Sequence, residues 1–266
     1  DVKNVRVLNN PVGYQEDSTG GSSISGPKFG TGCFASTTSS GNYLSVADSA
    51  DWTFGTGDFT LEAWCNLDDN DENAIFSQYA DASNRWYLTI DNRDNVQTVA
   101  MYHHASGLEI ETSGANGAFG VHKWVHLAAV RASGVISIYV DGVAQTLATN
   151  TSASANMTDV AAALQIGAYN GGDTVKGYLD EVRVSNSARY TSNFTPSTTA
   201  FSNDSNTKLL LHCDGTHGST TFTDSSSGTH SVTAQGNTRI LAPKIGTGVN
   251  RTNGGDNGLY IPAANC

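Results

Sequence analysis

Four carboxylates crowd the stretch LDDNDENAI: Asp68, Asp69, Asp71 and Glu72. Two chemistries use such groups. Glycoside hydrolysis needs two carboxyl groups flanking the scissile bond, about 5 Å apart in retaining enzymes, and a strand supplies them when acidic residues alternate along one face. These four sit instead in a turn between strand-like runs, and no E-x-D-x-x-E spacing occurs in the chain. An EF-hand fits no better. With Asp69 as first ligand, Ala74 stands where the sharp turn needs Gly, and Ala80 stands where the bidentate Glu belongs. The cluster therefore reads as a solvated loop. No Ser lies in a nucleophile context such as G-x-S-x-G. His103 and His104 are adjacent, so on a strand they face opposite ways and cannot act as a pair.

Sugar recognition asks for different groups, namely aromatic rings that stack on apolar sugar faces beside polar groups that fix hydroxyls. Trp86, Tyr87, Tyr102 and Tyr169 are the candidates. Trp86 alternates in phase with Leu88 and Ile90 and is assigned to the core. Tyr87 and Tyr169 are the expected surface pair. In GYLDEVRV, Leu179 is out of phase with Val182 and Val184 if all three face the core, which implies an inserted residue near Asp180 and Glu181. Such a bulge re-aims a side chain.

The elements that must position these residues are strands. Runs of alternating apolar residues, such as FTLEAWCNL (59–67), WVHLAAVR (124–131) and GVISIYV (134–140), are separated by clusters of Gly, Ser, Thr and Asn. Asp141-Gly142 between apolar runs predicts a two-residue hairpin turn joining Val135–Val140 to Val143–Leu147. Many short antiparallel strands point to an all-β, two-sheet sandwich or jelly roll.

With 14 Lys and Arg against 25 Asp and Glu, the formal charge is −11, so a nucleic-acid backbone is repelled. No apolar run approaches the roughly 20 residues of a membrane-spanning helix. The sequence opens on Asp1 without a charged and apolar leader, which fits either a removed leader or a fragment of something longer. The four cysteines (Cys33, Cys65, Cys213, Cys266) show no zinc spacing. A Cys33–Cys65 disulfide and two buried thiols both remain open. Sequons at Asn150, Asn156, Asn193, Asn203 and Asn250 hint at glycosylation and export.

The hexapeptide PKFGTG (27–32) returns as PKIGTG (243–248), and VRVL near the start stands where LLLH (209–212) stands in the second copy. The order of features is shared, which predicts one complete module over residues 1–203 and the opening strands of a second over 204–266. Half a sandwich leaves exposed edges. Missing downstream chain, or a neighbouring module or subunit accepting donated strands, is expected to cover them.

The series FGTGDFTLEAWCNL, KWVHLAAVR, ISIYVDGVAQ, LQIGAYNGG, GYLDEVRVSNSARYTSNFTP and LLLHCDGTHGSTTFTDSSSGTH resembles the laminin-G-like jelly-roll modules of the concanavalin A-like lectin/glucanase superfamily. The resemblance implies an antiparallel jelly-roll sandwich, in tandem arrangements as on bacterial or viral surface appendages. It implies a calcium ion at a loop-rich end, matched here to Asp17 and Asp180, with Asp224 equivalent to Asp17 in the second copy. Capping of a strand end by Asp180, or its pairing with an arginine such as Arg183 or Arg189, is the competing reading. The resemblance also makes His126 a structural histidine. The expected function is non-enzymatic: a structural or adhesive module of an extracellular or virion-surface filament, partnered by copies of itself, or alternatively a carbohydrate-binding module with glycans as ligands.

Overall fold

The alternation in 59–67 does produce a strand, but its outward residues Thr60, Glu62 and Trp64 are buried as well as its core-facing ones. Something therefore covers the outside of the sheet. The computed structural model describes residues 15–16, 23–24, 26–36, 40–69, 71–93, 96–114, 119 and 121–242. In chain order the strands are β1 (Gln15–Glu16), β2 (Ser23–Ile24), β3 (Cys33–Ser36), β4 (Tyr43–Val46), β5 (Phe59–Leu67), β6 (Asn73–Tyr79), β7 (Arg85–Arg93), β8 (Val96–His103), β9 (Leu108–Thr112), β10 (Val125–Ala132), β11 (Val135–Val140), β12 (Val143–Ala144), β13 (Leu147–Thr151), β14 (Leu164–Ile166), β15 (Gly177–Ser185), β16 (Thr207–Leu211), β17 (Val232–Gln235) and β18 (Arg239–Leu241).

Two antiparallel sheets stack around one core. The first runs β12-β11-β10-β5-β15-β3-β18, with β16 also on β15, and the second runs β13-β9-β8-β7-β6-β14-β4-β17. Phe34, Phe59, Leu61, Phe76, Trp86, Leu88 and Leu127 pack between them. Trp86 is core, as its phase implies, and its indole Nε1 donates to Gln78 Oε1 at 2.6 Å. The architecture is the antiparallel jelly-roll sandwich.

Two local expectations are sharpened. Asp141 and Gly142 both take positive φ (47° and 76°), the geometry of the favoured hairpin turn. A Cβ on Gly142 would lie 1.9 Å from the Phe194 carbonyl oxygen, so the position admits only Gly. The second arm of this hairpin is shorter than Val143–Leu147, however: β12 ends at Ala144, and Leu147 begins β13 in the other sheet, paired with β9. The bulge is where the phase slip puts it. The register of β15 against β5 shifts between Asp180 and Arg183, and Glu181 has φ 51°. This bulge divides β15, which pairs β3 through residues 177–179 and β16 through residues 182–185 on the same side.

The second module requires correction. β16 pairs β15, β17 pairs β4 and β18 pairs β3, so residues 207–242 fill places in both sheets of the same sandwich. The boundary expected at 203/204 is therefore not a domain boundary, and these strands await no neighbour to cover them. The physical reason lies in the spacing of the two copies. Eighteen residues separate VRVL from PKFGTG, whereas thirty separate LLLH from PKIGTG, and the longer interval carries β17 and β18. Among its described residues the shorter interval carries only β1 and β2, which pair with each other. Asp214, just past β16, seals the junction by accepting from the backbone N–H of Thr31 and of Gly32. The PKIGTG copy and Cys266 lie outside the described residues.

Cys33, Cys65 and Cys213 are buried free thiols. Cys33 on β3 and Cys65 on β5 are separated by β15, hence about 10 Å apart at the usual strand spacing, beyond disulfide reach.

Candidate functional site

The two outer faces of the sandwich are unlike. Residues 186–206 form a strap across the first sheet. Tyr190 and Phe194 stack at 3.6 Å with planes 6° apart, over His126 and Tyr139. Beneath them Glu62 is fully buried and gathers four partners: Arg183 Nη2 at 2.7 Å, His126 Nε2 at 3.2 Å, the Tyr190 hydroxyl at 2.8 Å, and Arg189 Nε at 3.8 Å. Burial pushes the Glu62 carboxyl up, but its hydrogen bond from His126, the Arg183 charge and the Tyr190 hydroxyl together hold it below the usual range. His126 is thus structural, as the family resemblance implies. The strap covers the centre of this face.

Among the described residues the second sheet carries no such strap. Its outer face presents a row of directly opposed residues, Glu109, Tyr102, Tyr87, Ser77, Gln165, Ser45 and Thr233, one per strand. Tyr87 is the centre. Its ring lies 4.9 Å from Tyr102, 4.6 Å from Tyr169 and 6.0 Å from His104, with Tyr79 edge-on to Tyr169 at 5.5 Å. Tyr79, Tyr87, Tyr102 and Tyr169 are half-buried, and His104 is exposed. The sequence expectation of Tyr87 and Tyr169 as surface rings thus places two members of one platform.

Tyr169 reaches this platform by a second hairpin turn. Asn170 and Gly171 both have positive φ (51° and 69°), and Tyr169 and Gly172 exchange backbone hydrogen bonds at 3.1 and 2.9 Å. Asn-Gly is the sequence that this turn demands. Gln165 Oε1 accepts from the Gly171 amide at 3.0 Å, and Ser77 Oγ donates to the Ala168 carbonyl at 2.7 Å, fixing the turn to the row beneath. Desolvation pushes the Tyr87 hydroxyl up to about 12 and raises that of Tyr169. Desolvation, followed by the Arg85 charge, lowers the His104 imidazole. At neutral pH the rings are uncharged, with hydroxyls that both donate and accept.

Arg85 completes the site and was not among the residues singled out from sequence. It shares the phase of Tyr87 in RWYLTI, which is the signal that could have found it. Its Nη1 donates to the Tyr169 hydroxyl at 2.5 Å, its Nη2 lies 3.5 Å from His104 Nδ1, and the guanidinium sits 5.7 Å from the Tyr169 ring. Because arginine only donates, His104 Nδ1 accepts. An open aromatic surface edged by an amide, hydroxyls and a guanidinium can stack a sugar ring and hold its substituents.

Residues 38–193 match a laminin G family profile of the concanavalin A-like lectin/glucanases superfamily. The chain belongs to this superfamily. Among solved structures, this laminin G-like chain is similar to a candidate carbohydrate binding protein from Bacteroides ovatus, with 19% identity, 80% of this chain and 61% of that one covered, and a TM-score of 0.57. The chain thus spans less than two thirds of that protein's length. It is also similar to domains LG4-5 of the mouse laminin α1 chain (13% identity, 65% and 49% covered, TM-score 0.46). Domain 4 of an extracellular arabinanase from Geobacillus stearothermophilus, in complex with arabinotriose, matches at 16% identity (67% and 77% covered, TM-score 0.43). At these identities the likeness is one of fold. A comparison with curated protein sequences finds no match.

Of the two residues matched to calcium, Asp17 lies outside the described residues and Asp180 within them. Asp180 Oδ2 accepts from the Phe29 amide at 3.0 Å and Oδ1 from the Glu181 amide at 2.8 Å, while Glu181 is turned to His212 Nδ1 at 2.8 Å and to the Phe201 amide. Burial, with the Glu181 charge, pushes the Asp180 carboxyl up to about 8, against the amides of Phe29 and Glu181, which lower it. Asp180 pairs with neither Arg183 nor Arg189, which both turn to Glu62. Asp224 is likewise structural: it accepts from the amides of Leu210, Ser226 and His230. No cluster of three or more His, Cys, Asp or Glu suited to a metal occurs among the described residues. In the Asp68–Glu72 loop, Lys176 neutralises Asp69 and Asp71 at 2.8 Å each.

His212 couples this region to pH. Its hydrogen bond to Glu181 raises its affinity for a proton above the unfolded value, so its contribution is full below about pH 6.5 and is lost as pH rises through the folded value. Asp180 acts in the same sense, because its carboxyl holds a proton when folded between about pH 4 and 8 that the unfolded chain releases. His103 and His104 are shifted the other way, chiefly by desolvation, and oppose this trend below about pH 6.5. The expected result is a wild-type urea midpoint that falls between pH 6.5 and 8.5, and a His212→Gln midpoint that falls less. Equal slopes for the two proteins would contradict the assignment.

Proposed function

We propose that this laminin G-like sandwich is a non-enzymatic carbohydrate-binding module acting outside the cell or on a surface, and that glycans lie across the outer face of the second sheet over Tyr87, Tyr102 and Tyr169. The observation that carries this reading is the asymmetry of the two faces. The first is covered by the 186–206 strap, whereas the second gathers four tyrosines and a histidine that no strand among the described residues covers. Folding gains little from leaving such rings half-exposed, while stacking on a sugar gains from it. Carbohydrate binding by proteins of the same fold agrees with the reading but does not carry it. Asn150, Asn156, Asn193 and Asn203 are all exposed, in keeping with glycosylation of an exported chain.

A filament role through donated strands has lost its basis, since β16, β17 and β18 are already paired within the sandwich. The test of the binding reading is a glycan array probed with the native protein and with Tyr87→Ala and Tyr169→Ala. Native binding is expected, and each variant should lose about tenfold in affinity, roughly 1.4 kcal/mol, with little change in melting temperature. Recovered glycans should be intact. Unaltered binding by both variants would overturn the assignment of the face.

A further inference from the structure

Among the described residues, the binding face holds a cation without a counter-ion. Arg85 begins β7 immediately after a turn held by Asp81, whose carboxylate accepts from the amides of Ser83 and Asn84 at 2.7 and 2.9 Å. The nearest acid in sequence is therefore committed to its own turn. Glu72, Asp173 and Glu109 lie close enough for their charges to be felt by Tyr87, Tyr169 and His104 respectively. Among the described residues, none of them forms an ion pair with Arg85. The guanidinium is held instead by neutral groups, the Tyr169 hydroxyl and His104 Nδ1, and its Nε is buried with no partner.

Two other arginines are held differently. Arg183 and Arg189 are both matched with carboxylates, at 2.7 Å to Glu62 and 2.9 Å to Asp204. Arg131 lacks an acid partner too, but four backbone carbonyls, of Gly57, Ala155, Phe54 and Gly55, take four of its five donors. Arg85 alone of these four keeps donors to spare beside an open aromatic surface. After the contacts to Tyr169 and His104, one N–H remains on each of Nη1 and Nη2, two charged donors for the two oxygens of a carboxylate.

We propose that the sugar recognised on this face bears a carboxylate, its ring stacked on Tyr87 and Tyr169 and its acid group bound by the Arg85 fork; this rests on the carbohydrate-binding reading above. The formal charge of −11 does not forbid an anionic ligand, because screening beyond about 8 Å at physiological salt leaves the local guanidinium to decide. Sulfated sugars, whose tetrahedral head can also accept from two guanidinium N–H groups, are the competing anion.

The test uses an array of neutral, sulfated, uronate-bearing and sialate-bearing glycans, followed by titration of the best acidic ligand and of the same ligand with its carboxyl reduced to a primary alcohol. Hits confined to carboxylated glycans are expected, with reduction costing about tenfold or more. Arg85→Gln should bring the acidic and reduced forms within about threefold of each other, Arg85→Lys should retain part of the preference, and Tyr87→Ala should weaken both forms. Neutral or sulfated hits that Arg85→Gln leaves intact and Tyr87→Ala abolishes would overturn the carboxylate assignment while leaving the binding face standing. Absence of any glycan hit would overturn both.

Discussion

A chain ending at Asn206 is expected not to fold. The residues beyond it supply β16, β17 and β18 to the two sheets, and with them Leu209, Leu211, Phe222 and Ile240, each 4% exposed or less in the common core. At about 1.5–3 kcal/mol for each buried side chain, these four alone contribute roughly 6–12 kcal/mol. That is comparable with the whole stability of a typical domain, about 5–15 kcal/mol. Loss of β16 would also uncover Val182 and Val184 along β15. The shortened protein should lack near-ultraviolet circular dichroism and a cooperative urea transition, and should aggregate. A sharp transition near that of the full chain would mean that residues 207–242 are an appendage after all.

The second large effect concerns the strap. Glu62→Ala removes the single carboxylate that serves Arg183, His126 and Tyr190, leaving a guanidinium whose side chain is 7% exposed without its counter-charge. Breaking a buried pair from one side costs about 3–5 kcal/mol. Arg183 also packs over the Phe201 ring at 4.1 Å, so the loss propagates into the strap that closes the first sheet. Chemical denaturation should show a destabilisation of that size, and proteases should cut within 186–206 before the core. A cost below about 1 kcal/mol would show that the strap is held by its rings alone.

Strands, one turn and one bulge were legible because each is dictated by residues close in sequence. The Asp141-Gly142 turn needs positive φ, and the slip of Leu179 against Val182 and Val184 needs an extra residue; all three of those side chains are in the core. Tyr87 was legible as outward-facing because Trp86 and Leu88 are inward. What could not be read is which distant strands meet. PKIGTG looks like a beginning because its likeness to PKFGTG is local, yet the strands just before it join β3, β4 and β15. Nor could alternation show that Glu62 faces a strap rather than water, or that Arg85 meets Tyr169 from 84 residues away. Local rules fix which way a side chain points, and the topology decides what stands opposite.

The central claim is that ligand lies on the open face of the second sheet. Amide chemical-shift mapping of the full chain during titration with a glycan that it binds tests this most directly. Shifts should centre on 85–89, 100–104 and 165–172. The competing location is the cleft of about 320 Å³ lined by Asp51, Thr53, Phe54, Asp58, Asn186 and Lys208. Shifts centred there, with Tyr87 and Tyr169 undisturbed, would contradict the account.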